Sequence, residues 1–353
     1  MRASFGILPK RTFLREYSLG ERYHPEKIRR GIIGRVISKP IRNHDPFSPR
    51  FIVVLALTGV AAITHQAASA NPVEFENPQH STSFKIETLD GLVFVPVRLN
   101  QAPPRWFVLD TGASRMLLEK KLAQELTIPL EGSGSIGGAG TGKIPIEFAR
   151  HVRFEVPGLV MPDVEFAAAD LTGLEASVGR PIEGIIGYDF FAANVVAVDY
   201  EANTLTATAP EVFTPPADAE KIPVTFDKKW IRVRAALSLP GIAIVKDLFL
   251  IDSGSEDEAD HPAVARASGR FSTNVGHGLG APARGAVVRA NSFQIGAFVL
   301  HGTEAATIGN EAVGPMVGAG VLRRFHVTYD YPGQHIFLRP NRFFAGEKAA
   351  GAK

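Results

Sequence analysis

Two short segments of this chain are built to one plan, and their spacing limits the folds open to it. FVLDTGAS, Phe107 to Ser114, ends a four-residue apolar-to-acid run in Asp-Thr-Gly. FLIDSGS, Phe249 to Ser255, does the same in Asp-Ser-Gly. Downstream of each lies a second matching stretch. EGIIGYDFFAANVVAVDYEANTLTATAP, from Glu183, aligns without gaps to GPMVGAGVLRRFHVTYDYPGQHIFLRP, from Gly314, so that Gly187 matches Gly318, Asp199 matches Asp330 and Tyr200 matches Tyr331. A register held over a whole segment indicates an internal duplication. Each copy also opens alike, with SFKIETLDGLVFVPVRLN in the first and IPVTFDKKWIRVRAAL in the second. Asp90-Gly91 between two β-rich runs is a hairpin signal.

Alternating strand-like runs, frequent Gly and Pro and few stretches of helical period predict a mostly β protein. The best helical segment is MLLEKKLAQEL, Met116 to Leu126. Pro215-Pro216 reads as the linker between copies. The expected organisation is a leader over 1–70, an N-terminal lobe over 71–214, a C-terminal lobe over 215–345 and a tail over 346–353. Asp199 and Asp330 each close an apolar run before a turn and are expected at strand ends.

The net charge of +2 conceals a division. Residues 1–50 hold 12 basic and 4 acidic side chains; after residue 70 acids outnumber bases, 32 to 26. The globular part therefore gives no reason to expect a nucleic-acid partner. Phe51 to Ile63 is an apolar run behind Arg50, followed by Ala68-Ser69-Ala70, a small-residue cleavage pattern. The run is shorter than the roughly 20 residues a membrane span needs. The expectation is a secretory signal and an exported protein, periplasmic or secreted, with a retained membrane anchor as the alternative. For the long stretch ahead of the run, the expectation is that translation begins nearer to the run.

The chain has no Cys, which removes disulfides, thiolate nucleophiles and Cys-based metal sites. The six His between 151 and 335 show no metal-binding spacing and are expected at the surface or in packing, so neither metal nor cofactor is expected. Gly132, Gly134 and Gly137 spell GxGxxG, but no strand precedes them and no helix follows. GGAGTGKI, Gly137 to Ile144, lacks the hydroxyl of a phosphate-binding loop, and Pro145 opposes its helix. Ser133 and Ser135 each lack the Gly at both two-residue offsets that a nucleophile elbow needs.

What remains is a pair of aspartates. Two carboxylates held about 3 Å apart share one proton. The ionised member draws a proton from water, and the protonated member donates to a substrate carbonyl. Asp110 and Asp252 are the candidates. Thr111 and Ser253 have hydroxyls able to link the two loops, and Gly112 and Gly254 allow close backbone approach. Glu256, Asp257, Glu258 and Asp260 crowd the second motif. Ser255-x-x-Glu258 fits a capping box, so a helix start is the favoured reading; like charges raising the pKa of the pair are the other. Arg323-Arg324 is expected on a solvated face.

These motifs resemble those of the two-lobed aspartic peptidases of the pepsin/retropepsin type, over roughly residues 83–340, and the short lobes are most similar to compact bacterial members. The resemblance implies a mostly β bilobal fold with one catalytic Asp per lobe, a cleft between the lobes, and a hairpin flap over a bound peptide. It places Ile186 and Gly187, and Val317 and Gly318, behind the two aspartates, and Ser255 beside the second, where the first motif has Ala113. It places Gly137, Gly138, Gly140 and Gly142 at a flap tip that lacks the Tyr usual in pepsin-type flaps. It implies a peptide or protein substrate and a monomer; a peptide-binding module without catalysis is the alternative.

Overall fold

A computed structural model describes residues 72–138, 143–275, 283–308 and 314–348, which lie within one compact unit. The leader, the residues between 139 and 142 that include Gly140 and Gly142, and the second Gly-rich stretch over 276–282 fall outside the described residues. The protein is mostly β. Among the described residues, nine strands between Glu74 and Ile186 form one sheet and eleven strands between Thr225 and Lys348 form another.

A third sheet takes three strands from each half of the chain. Its order is Glu220–Pro223, His335–Pro340, Phe325–Asp330, Val195–Asp199, Thr204–Thr208, Ser81–Lys85. The halves meet where Val196 pairs antiparallel with Tyr329 and Val198 with Val327. Asp199 and Asp330 each end one of these strands, and each accepts turn N–H groups: Glu201 and Ala202 for Asp199, Gly333 for Asp330.

Apolar alternation sets which faces are buried. Trp230–Ser238 alternates buried and more exposed residues along most of its length, as a strand with one covered face should. Phe107, Val108 and Leu109, and Phe249, Leu250 and Ile251, are buried on both faces, so the strands that carry the aspartates run through the centre of their sheets. Asp90-Gly91 turns the hairpin that pairs Leu89 with Leu92, with φ of 51° and 95°. Such positive φ at both turn residues suits Asp-Gly.

The helix expected over Met116 to Leu126 is shorter. Leu117–Glu119 is a strand, and only Lys120–Glu125 is helical. Leu117 sits between Ile185 and Ala167 in the sheet, and this pairing overrides helical propensity. The Glu119 carboxylate then caps the helix by accepting the Lys121 N–H at 3.1 Å. Gly346–Lys348, assigned to the tail, adds an edge strand against Phe298–Leu300.

Candidate active site

Each aspartate ends its loop in the same local geometry. Strand Arg105–Leu109 runs parallel to Gly184–Ile186, with Leu109 opposite Ile186. Strand Val245–Asp252 runs parallel to Met316–Gly318, with Ile251 opposite Val317. The loop N–H groups then fold back: Gly112 N–H reaches Asp110 Oδ1 at 2.7 Å, and Gly254 N–H reaches Asp252 Oδ1 at 3.0 Å. Gly187 and Gly318 pass so close behind that a Cβ would lie 2.3 Å from the carbonyl oxygens of Arg115 and Asp257, respectively.

The two loops are tied to each other by four hydrogen bonds. Thr111 Oγ1 donates to the Ile251 carbonyl at 2.7 Å and accepts the Ser253 N–H at 3.0 Å. Ser253 Oγ donates to the Leu109 carbonyl at 2.9 Å and accepts the Thr111 N–H at 3.0 Å. All of these groups are buried, where an unmade bond costs more than a made one gains. The hydroxyls after each Asp thus replace, across the loops, the hydrogen bonds a continuous sheet would supply.

This cross-link brings the carboxyls together. A Cβ on Gly112 would lie 2.7 Å from Asp252 Cγ, and one on Gly254 would lie 2.4 Å from Asp110 Cγ. Each aspartate therefore sits against the other's glycine. Both are fully buried, and neither Oδ2 accepts from a donor among the described residues.

Burial pushes the Asp110 carboxyl up to about 7, against the opposing pull of the N–H groups of Gly112, Ala113 and Gly254 and of the Asp252 carboxyl. Burial pushes Asp252 well above the carboxylate range, and charge on Asp110 and Asp260 pushes it further. A pair with both pKa values raised holds protons that the unfolded chain releases. Its stabilising contribution is therefore full below the ordinary aspartate value of 3.8 and is lost as pH rises toward about 7. Across that window the wild-type melting midpoint, followed by circular dichroism, should fall relative to that of Asp252→Asn. Parallel curves for the two proteins would contradict this assignment.

The acidic run does not start a helix. Ala259–Asp260 pairs parallel with Glu304–Ile308 and antiparallel with Met316–Gly318, so sheet pairing takes the segment. Ser255 Oγ accepts the Asp257 N–H at 3.3 Å, and Ser255 is buried beside the pair. Glu258 accepts the Glu304 N–H at 2.6 Å and pairs with Arg324. Arg324 is consequently not on a solvated face; its guanidinium also donates to the Gly320 carbonyl.

The arms of the candidate flap are Glu131–Gly137 and Lys143–Val156, paired through Ile136 and Ile144. Gly137 ends the first arm, and Gly138 follows it, buried. Two further residues belong to the site and were not singled out from sequence. Trp230 Nε1 donates to the Gly112 carbonyl at 2.8 Å, and the Tyr331 hydroxyl lies 3.5 Å from the Thr111 carbonyl. The available signal was a polar-tipped aromatic in the second copy where the first has Leu92.

Asp199, Glu201 and His326 could hold a metal ion by their spacing, their ligand atoms all lying within 4.8 Å of one another. Each has protein partners instead: His326 contacts Asp199 at 3.3 Å and Glu201 at 3.0 Å, and Glu201 also accepts the Arg342 N–H. Through these contacts the cluster joins the two halves.

Residues 95–190 match the family model described as Aspartyl protease. The match covers about a quarter of the chain, holds Asp110 and Gly187, and ends before Asp252. It supports protease activity of the aspartyl type in general. No curated protein matches the chain.

Proposed function

We propose that this protein is an aspartic endopeptidase of two related lobes, 71–214 and 215–345, with Asp110 and Asp252 as its catalytic pair. The observation that carries the reading is the reciprocal fit of the carboxyls: each lies against the glycine that follows the other, in loops locked by Thr111 and Ser253. Buried carboxyls this close share one proton. The ionised one takes a proton from water as the water oxygen attacks the peptide carbon. The protonated one donates to the carbonyl oxygen. Collapse of the resulting gem-diol breaks the C–N bond, a proton passes to the leaving amine, and the pair returns to one proton. No bond to the protein forms at any stage.

The acidic run, which motivates a binding role without catalysis, is engaged in the fold through Glu258 and Arg324, and Asp252 keeps the register of Asp110. An extended peptide would lie between the pair and the paired strands Glu131–Gly137 and Lys143–Val156, pairing its backbone with strand edges. One chain supplies both carboxyls, which favours a monomer. The leader supports export.

The test is incubation of the purified protein with a diverse peptide pool between acidic and neutral pH, with products read by mass spectrometry. Cleavage is expected, with no acyl transfer to added hydroxylamine, because no acyl-enzyme forms. A folded protein that leaves the pool intact, or one that yields hydroxamates, would exclude the reading.

A further inference from the structure

The two loops differ in what holds their peptide groups. The Thr111–Gly112 peptide points its N–H at Asp110 Oδ1, and its carbonyl faces the Tyr331 hydroxyl at 3.5 Å. In the next peptide, the Gly112 carbonyl accepts the Trp230 indole N–H at 2.8 Å, and the Ala113 N–H turns back to the Asp110 main-chain carbonyl at 3.3 Å, close enough to the carboxyl to favour its charged form. A donor on an amide oxygen strengthens the N–H of the same amide, since resonance couples the two ends. Tyr331 therefore faces the oxygen of the amide that donates to the Asp110 carboxyl, and Trp230 holds the next peptide from its carbonyl side, fixing Gly112 between them; both side chains come from the C-terminal half.

The second loop repeats both inward N–H contacts, Gly254 on Asp252 Oδ1 at 3.0 Å and Ser255 on the Asp252 main-chain carbonyl at 3.4 Å, so the asymmetry lies in the side chains behind the loops. Leu92 stands where Trp230 stands, each directly after its hairpin turn, opposite Leu89 and Asp227 respectively. Leu92 has no donor. Tyr200 matches Tyr331 in the repeat, but its hydroxyl lies toward Tyr329. The groups that titrate or carry charge around the pair are Asp260, whose charge opposes ionisation of Asp252, and the buried phenols of Tyr329 and Tyr331. Nearby, Lys229 pairs with Asp189 at 3.5 Å and lies over the Tyr188 ring.

We propose that Trp230, assisted by Tyr331, is a positioning residue that fixes the asymmetry of the pair, making Asp110 the charged member and Asp252 the protonated one. The catalytic consequence rests on the peptidase reading: Asp110 takes the proton from water and Asp252 donates to the carbonyl. The geometric claim stands without it, and so does the first arm of the test.

That arm uses protein produced from the full-length chain with ¹⁵N-labelled tryptophan. The chain has two Trp, and Trp106→Phe assigns their indole signals. The Trp230 indole proton should move upfield as falling pH gives the pair its second proton, and Asp110→Asn should abolish that inflection. A flat titration, or an inflection that survives Asp110→Asn, overturns the proposal even if no peptide is ever cleaved. The second arm is kinetic. Trp230→Phe keeps a ring but removes the donor, so the charged form of Asp110 loses support. The acid limb of kcat/KM should then move up by about half a pH unit, the scale of one net hydrogen bond, with KM little changed. Tyr331→Phe should move it in the same direction. A fall in kcat/KM at every pH with both limbs in place would mark a purely structural role and overturn the proposal.

Discussion

Asp110→Asn and Asp252→Asn should each lower kcat/KM for peptide cleavage by at least about a thousand-fold, near the upper end of what a positioned acid or base contributes. Asn has the shape of Asp and still accepts the Gly112 or Gly254 N–H through its oxygen, so the loops should keep their form. What is lost is the shared proton. Asp110→Asn leaves no base for water, and Asp252→Asn leaves no acid for the carbonyl. The double variant should be scarcely worse than either single one, because groups that act as a unit do not add. Both variants should melt no lower than wild type at neutral pH, since each removes a group whose charged form is costly to bury. The measurement is peptide turnover alongside a melting curve. Full activity in either variant would remove that carboxyl from the chemistry, and loss confined to Asp110→Asn would remove Asp252.

The pair was legible in the sequence because the duplication supplies its own control. A single Asp-Thr-Gly is an ordinary turn signal, whereas two in equivalent places of a repeat share a cause. Asp90-Gly91 was legible for a different reason: its two positive φ angles are a local demand that few dipeptides meet. The misreadings have one origin. Ser255-x-x-Glu258 and Met116-to-Leu126 carry good local helix signals, yet the first runs into the strand Ala259–Asp260 and the second contains the strand Leu117–Glu119, both inside a sheet, where pairing with strands distant in sequence decides. Arg324 looked solvated because its partner, Glu258, lies 66 positions away. The contact between Trp230 and Gly112 spans 118 positions and ends on a backbone carbonyl, a group every residue carries and no pattern marks. The six-stranded sheet shared by the halves was unread for the same reason, since only its strand ends, Asp199 and Asp330, have a sequence signature.

Gly254→Ala and Gly112→Ala test the close approach itself. The added Cβ would lie 2.4 Å from Asp110 Cγ in the first and 2.7 Å from Asp252 Cγ in the second. Carbon atoms prefer about 3.5 to 4 Å, so the carboxyl must retreat by the order of an ångström. It has little freedom to do so, being buried and held by N–H groups on a loop anchored through Thr111 and Ser253. A misplacement of that size costs on the order of a hundred-fold in rate, and overpacking costs about 1–3 kcal/mol in stability. Gly173→Ala is the matched control: its Cβ meets nothing within 4 Å and lies in the helix Thr172–Val178, where Ala is favoured by up to about 1 kcal/mol. The decisive measurement is a double-mutant cycle by denaturant unfolding. In an Asp110→Ala background the Gly254→Ala Cβ has no carboxyl to strike, so its stability cost should shrink toward that of an ordinary buried methyl. An undiminished cost would place the conflict elsewhere in the loop. The two carboxyls would then no longer owe their shared proton to glycines that let each loop close over the other.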